Sequence, residues 1–131
     1  MDLNKAHAEV IRLHEFLGAW FRGELASERL SPDFADALHP DFENAQPAGV
    51  VLTRDEIVEA IQAGRGTNPD FRIEIEKPRL LGTWPGLTLF QYVEFQTGAK
   101  ASASENRRLS TVLFHDGPRP VWRYLTEIGL P

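Results

Sequence analysis

The order of elements in this chain, helices first and strands last, predicts an α+β fold with N-terminal helices packed on a curved antiparallel sheet. Two observations point to it. Apolar residues recur at helical spacing through most of the first 65 residues, and from residue 70 the pattern changes to the two-residue alternation of strands. The four longest strand-like segments then follow one another to residue 130. A meander of that length can curl around the helical layer into a cone with an open mouth. No repeat, low-complexity segment or linker interrupts the 131 residues, so 1–131 reads as a single domain of ordinary size.

The first helix is predicted over residues 5–25. Val10, Leu13, Leu17, Trp20 and Phe21 share one face, and His14 lies at its edge. Glu9, Arg12 and Glu15 fall elsewhere and read as wet. Gly18 and Gly23 weaken this helix by roughly 1 kcal/mol each relative to alanine, so it depends on tertiary packing. Ser31 is placed to cap a short helix with Pro32 at its first position. "PDFENAQPAGVVL", residues 40–52, reads as two short strands about a Pro-Ala-Gly turn. Thr53 and Glu56 form a capping box, so a helix starts there, with Ile57, Val58 and Ile61 as its apolar face and Gly64 as its stop. Phe71, Ile73 and Ile75 then alternate with Arg72, Glu74 and Glu76. Residues 86–98 are apolar on both faces, as in a central strand, and "KASASE" is a small-residue loop. Residues 105–131 form two strands joined by a Gly-Pro turn.

Hydrophobic residues make up 42% of the chain, enough for a core. The net charge is −5 and the only basic cluster is Arg107-Arg108, which argues against nucleic acid and against an anionic membrane surface. Cysteine is absent, which removes disulfides, thiolate metal sites and a cysteine nucleophile. The N-terminal residues lack the apolar core of a signal peptide and no run approaches a membrane span, so a cytoplasmic protein is expected. His7, His14, His39 and His115 have no metal-ligand spacing, and "GRGTNP" stops a helix rather than following a strand, so it is no phosphate loop. Neither metal nor cofactor is expected.

Four stretches carry a family resemblance: "LHEFLGAWFRGE" in the first helix, "LHPDFENAQPAG" before the capped helix, "YVEFQ", and "RLSTVLF" with "VWRYLTEIGL" at the end. In this order and spacing the chain resembles the nuclear-transport-factor-like (cystatin-like cone) superfamily. Within it, the chain is most similar to small bacterial SnoaL-like and ketosteroid-isomerase-like domains. The resemblance implies a pocket between the first helix and the sheet, and a homodimer formed through the sheet. It does not imply one chemistry.

Alternation puts Tyr92, Glu94 and Gln96 on one strand face, Arg108 with Ser110 on a second, and Leu125 with Glu127 on a third. If the last hairpin turns about Gly117-Pro118, Arg108 comes opposite Glu127. Buried, that pair would offer spare guanidinium donors to an anionic ligand. Exposed, it is an edge or dimer contact worth about 0–1 kcal/mol. The candidate ligand-binding residues are therefore Tyr92, Glu94, Arg108, Ser110 and Glu127, joined by His14 as a base or hydrogen-bonding group and Trp20 as a pocket floor. The bland alternatives for the last two are a core-edge histidine and plain core. The resemblance also implies that Arg108 and Ser110 point into the pocket, and that Arg107 is surface. Ketosteroid isomerases of this fold carry an aspartate base where this chain has Gln46, which cannot accept a proton at neutral pH. Where relatives carry a histidine in the last strand, Thr126 stands here. The sequence thus favours a small-molecule-binding SnoaL-like protein. The alternatives are an isomerase, cyclase or hydratase using Glu94, His14 or Asp41 as base, and a non-catalytic dimerisation module.

Overall fold

A computed structural model describes all 131 residues. Three helices pack on one six-stranded, curved, unclosed sheet. Helix α1 spans Leu3–Phe21, α2 Leu30–Asp33 and α3 Arg54–Ala63. The strands are β1 Leu38–Ala45, β2 Val51–Thr53, β3 Arg72–Trp84, β4 Leu87–Thr97, β5 Glu105–His115 and β6 Val121–Leu130. Their order across the sheet is β2-β1-β6-β5-β4-β3. Every neighbouring pair is antiparallel except β1 with β6, which run parallel. That exception is a consequence of α3 and the β3–β5 meander lying between β1 and β6 in the chain, which leaves room for the long crossover a parallel pair needs.

Helix α1 begins earlier than periodicity suggests because the Asp2 carboxylate accepts from the Lys5 N–H at 2.8 Å and caps it. It ends at Phe21, short of residue 25, and Gly23 follows in a left-handed conformation at φ 81°. Ser31 does not cap α2. That helix starts two residues sooner, at Leu30, with Arg29 before it, so Pro32 sits at its third position. The Thr53–Glu56 capping box forms as read. Gly64 does close α3, but at an ordinary φ of −82°. It is glycine for packing, because the Phe21 ring occupies the place a Cβ would take.

The core joins Val10, Leu13, Phe16 and Trp20 of α1 to Phe34, Leu38 and Phe42, and to Phe90, Val112, Phe114 and Trp122 of the sheet. Edge strand β3 accommodates Pro78, which has no N–H to give a ladder, with a bulge between Glu76 and Arg79 and Lys77 at φ 52°.

The registers of β4, β5 and β6 line up in rows. Facing the helices, Phe90, Val112 and Leu125 form an apolar row. Next come Tyr92, Ser110 and Glu127, and then Glu94, Arg108 and Gly129. On the outer face the rows are Leu89-Leu113-Tyr124, Gln91-Thr111-Thr126 and Val93-Leu109-Ile128. No helix is long and apolar enough to cross a membrane.

Candidate functional site

Between α1, α3 and the inner sheet face lies a cavity of about 590 Å³. Leu13, Leu17 and Phe21 line it from α1, Ile57 and Ile61 from α3, and Phe42 and Leu125 from the sheet. Its polar side is a continuous hydrogen-bonded chain. His14 Nδ1 donates to the Val10 carbonyl at 2.7 Å, one helical turn back, so Nε2 is held toward Glu94 Oε1 at 3.0 Å. The other Glu94 oxygen accepts from Gln96 Nε2. Asn106 donates to Gln96 Oε1 at 3.2 Å and faces Arg108 Nε with its own oxygen at 3.4 Å. Arg108 Nη1 donates to Glu127 Oε2 at 3.2 Å, and Asn44 Nδ2 donates to Glu127 Oε1 at 2.9 Å. Gln46 Nε2 reaches Asn44 Oδ1 at 3.4 Å and ends the chain.

The electrostatics follow from burial and partners. Burial alone would strip the His14 imidazole of its proton, but Glu94 and the Val10 carbonyl outweigh it and hold its pKa above the usual value. Burial pulls the Glu94 carboxyl up, but His14, Gln96 and Arg108 hold it below the usual range. Both shifts favour the charged form of each partner, and both side chains are almost fully enclosed. Glu127 is pushed up by burial and by neighbouring Glu94, against the pull of Asn44 and Arg108.

Of the sequence candidates, His14, Glu94, Arg108 and Glu127 line the cavity. Tyr92 and Ser110 are fully buried and do not reach its wall; the Tyr92 hydroxyl and Ser110 Oγ have no hydrogen-bond partner. Burial holds the Tyr92 phenol well above its ordinary pKa, so it stays a neutral hydroxyl. Trp20, expected at the floor, stands outside the cavity. Its indole N–H donates to the Ile61 carbonyl at 2.7 Å and its ring packs on Phe16. Arg108 pairs across the strands with Glu94 and Gly129, and Glu127 with Ser110. The expected register is off by two residues: the turn sits later than Gly117-Pro118, and a bulge at Leu113/Phe114 inserts Arg123. A two-residue slip keeps side chains on the same face, so Arg108 and Glu127 still meet, on the diagonal. Glu9, read as wet, is buried and holds Arg12 and the Trp122 indole. Asp41 is exposed and away from the cavity. Arg107 lies on the outer face, over the Phe95 ring and bonded to Glu76.

Sequence reasoning missed Asn44, Asn68 and Asn106. Asn44 was within reach, since alternation puts it on the same side as Gln46. Asn68 is brought in by a loop, where no periodicity signals it. It is buried at the edge of the cavity, its Nδ2 donates to the Gly98 carbonyl at 2.8 Å, and its Oδ1 is enclosed without a partner. Gly98 itself has φ 69°, and a Cβ there would run into the Asp70 carbonyl.

No protein-family model and no curated protein matches the sequence. Solved structures do match. A protein of unknown function from Pseudomonas aeruginosa, described as NTF-2-like, aligns over 97% of this chain and 99% of its own, with 29% identity and a TM-score of 0.89. This chain has the NTF2-like fold. The NTF2-like cone recurs in an uncharacterised cystatin-like protein from Caulobacter vibrioides, at 18% identity, TM-score 0.74, and coverage of 98% of this chain and 89% of that one. It recurs again in the beta subunit of benzoate 1,2-dioxygenase from Burkholderia mallei, at 14% identity, TM-score 0.73, and coverage of 99% and 91%. At the last two identities the likeness concerns the fold alone, and a cone of this kind serves unrelated chemistries.

Proposed function

We propose that this NTF2-like protein binds a small, partly apolar molecule between α1 and the curved sheet. The observation that carries the proposal is the cavity itself: about 590 Å³, with 15 of its 26 lining residues hydrophobic and its charged groups gathered on one side. Ligand sites have this size and this composition, a mostly apolar wall with a few converging polar groups. Native mass spectrometry of gently purified protein, followed by denaturing release, tests it. A small molecule is expected on the wild type and not on Leu125→Trp, whose larger ring would occupy the cavity. The same bound mass on both proteins, or its absence from the wild type even after incubation with apolar compounds of matching size, would sink the proposal.

The His14–Glu94 pair favours a second reading, an isomerase, cyclase or hydratase. Glu94 is the group that would exchange a proton with the ligand and His14 the residue that positions it, because both imidazole nitrogens are occupied. Gln46 carries no carboxylate, and Asp41 is exposed and does not line the cavity. Glu94→Gln abolishing turnover while leaving affinity within a few-fold would support this reading; unchanged turnover would remove it.

We further propose that two copies associate through the outer sheet face, where the Leu89-Leu113-Tyr124 row, together with Leu109 and Ile128 beside the buried Val93, presents apolar side chains.

A further inference from the structure

Given the binding role proposed above, we infer that the cavity takes an uncharged ligand head, a carbonyl or similar neutral acceptor on Arg108, rather than a carboxylate or phosphate. Five ionisable side chains line the cavity: His14, Glu94, Lys100, Arg108 and Glu127. The four on the polar side cancel in pairs. His14 sits on Glu94 at 3.0 Å and Arg108 on Glu127 at 3.2 Å. Each carboxylate oxygen already has a donor. Glu94 takes His14 and Gln96, and Glu127 takes Asn44 and Arg108. Lys100 is exposed and gives its ammonium to the Thr67 carbonyl at 3.0 Å, so water screens its charge.

What is left for a ligand is neutral in character. Arg108 uses Nε and Nη1 on Asn106 and Glu127, while Nη2 has no hydrogen-bond partner. The Arg108 side chain keeps 21% of its surface exposed, and it lines the cavity. A carbonyl oxygen can accept from Nη2 and leave the Arg108–Glu127 pair intact. A carboxylate there becomes a third negative charge beside Glu94 and Glu127, with no further cation to meet it. It must either crowd Glu127 or displace it, and a displaced Glu127 is a buried, unpaired charge. The matching ligand is an apolar body bearing a carbonyl, with no ionised group.

Isothermal titration at about pH 6, where the His14–Glu94 pair is charged and decanoate is ionised, with decan-2-one and with decanoate, on wild type and on Glu127→Gln, tests this. The ketone is expected to bind the wild type about tenfold tighter than the acid. Glu127→Gln should free Arg108 and bring decanoate level with the ketone or ahead of it, a gain that misfolding cannot mimic. Decanoate binding the wild type as tightly as the ketone overturns the neutral-head assignment while leaving the cavity's binding role standing. An unaltered preference in Glu127→Gln overturns it too, because charge pairing would not be the cause. Binding of neither probe to the wild type overturns the binding role as well.

Discussion

Glu94 stands directly across from Arg108 in the β4–β5 ladder, yet its carboxylate oxygens go to His14 and Gln96, and Arg108 turns instead to Glu127. Two buried charge pairs therefore share one sheet face rather than one large cluster. Each pair has its own partner from outside the strand: a helix side chain for Glu94 and the Asn44 amide of β1 for Glu127. Removing one member exposes the cost of leaving the other buried.

The His14–Glu94 pair sets a pH window of stability. His14 has its folded pKa raised above 6.5, so its contribution is complete below 6.5 and is lost as pH rises through the raised value. Glu94 has its folded pKa lowered below 4.5, so its contribution is complete above 4.5 and is lost as pH falls through the lowered value. Both are intact together between 4.5 and 6.5. Glu127, shifted upward, acts with the same sign as His14. Chemical denaturation is expected to show wild-type stability falling from pH 6.5 toward alkaline pH, with a shallower fall in the His14→Gln/Glu94→Gln double variant. Parallel curves would show that the pair carries no proton linkage.

The neighbouring arginines are expected to behave unequally. Arg107→Ala removes a surface pair with Glu76 and a contact with the Phe95 ring, together about 1 kcal/mol or less. Arg108→Ala leaves Glu127 buried without its cation, a loss of about 3 kcal/mol after allowing for the guanidinium's partial exposure. Arg108→Ala should also weaken ligand binding, and Arg107→Ala should not. Equal effects on stability and affinity would mean that the two faces of β5 are not distinguished as described.

Much of this was legible because strand alternation is robust to error. The sequence placed Glu94, Arg108 and Glu127 on faces that could converge, and a two-residue slip in the last hairpin left that conclusion standing. The direct partners were not legible. The Arg123 bulge decides them, and nothing in "HDGPRPVWRY" announces a bulge. Trp20 misled because helical spacing reveals that a ring is buried but not on which side of the helix the space remains. Glu9 escapes the sequence pattern because the apolar stripe is only part of the buried surface of α1. In fact the sheet wraps far enough for Trp122 to reach Glu9 from beyond that stripe.

Trp20 gives a clean separation of fold from site. Trp20→Phe keeps an aromatic ring against Phe16 but removes the indole donor, leaving the Ile61 carbonyl with the Gly64 N–H alone. The expected loss is about 1–2 kcal/mol in denaturant unfolding, from one buried hydrogen bond and some ring volume. Ligand affinity should stay within about twofold, since Trp20 does not line the cavity. A large drop in affinity with little loss of stability would return Trp20 to the site.

The outer sheet face predicts the state of assembly. Ile128 is 59% exposed, and in the register it stands beside Leu109, which in turn faces Val93. One row away, Leu89, Leu113 and Tyr124 repeat the pattern, so the apolar surface extends along three adjacent strands rather than being one stray side chain. Such a surface is costly to leave in water and suits a second copy, because a two-fold pairing sets the same rows against each other. Light scattering at micromolar concentration is expected to give twice the 14.8 kDa chain mass. Ile128→Asp should return it to one chain mass with little change in unfolding midpoint, because residue 128 is open to solvent in the single chain and a carboxylate there would put a charge into the apolar face. A wild type already at one chain mass would assign that face another role. A dimer that survives Ile128→Asp unchanged would place the contact elsewhere on the cone.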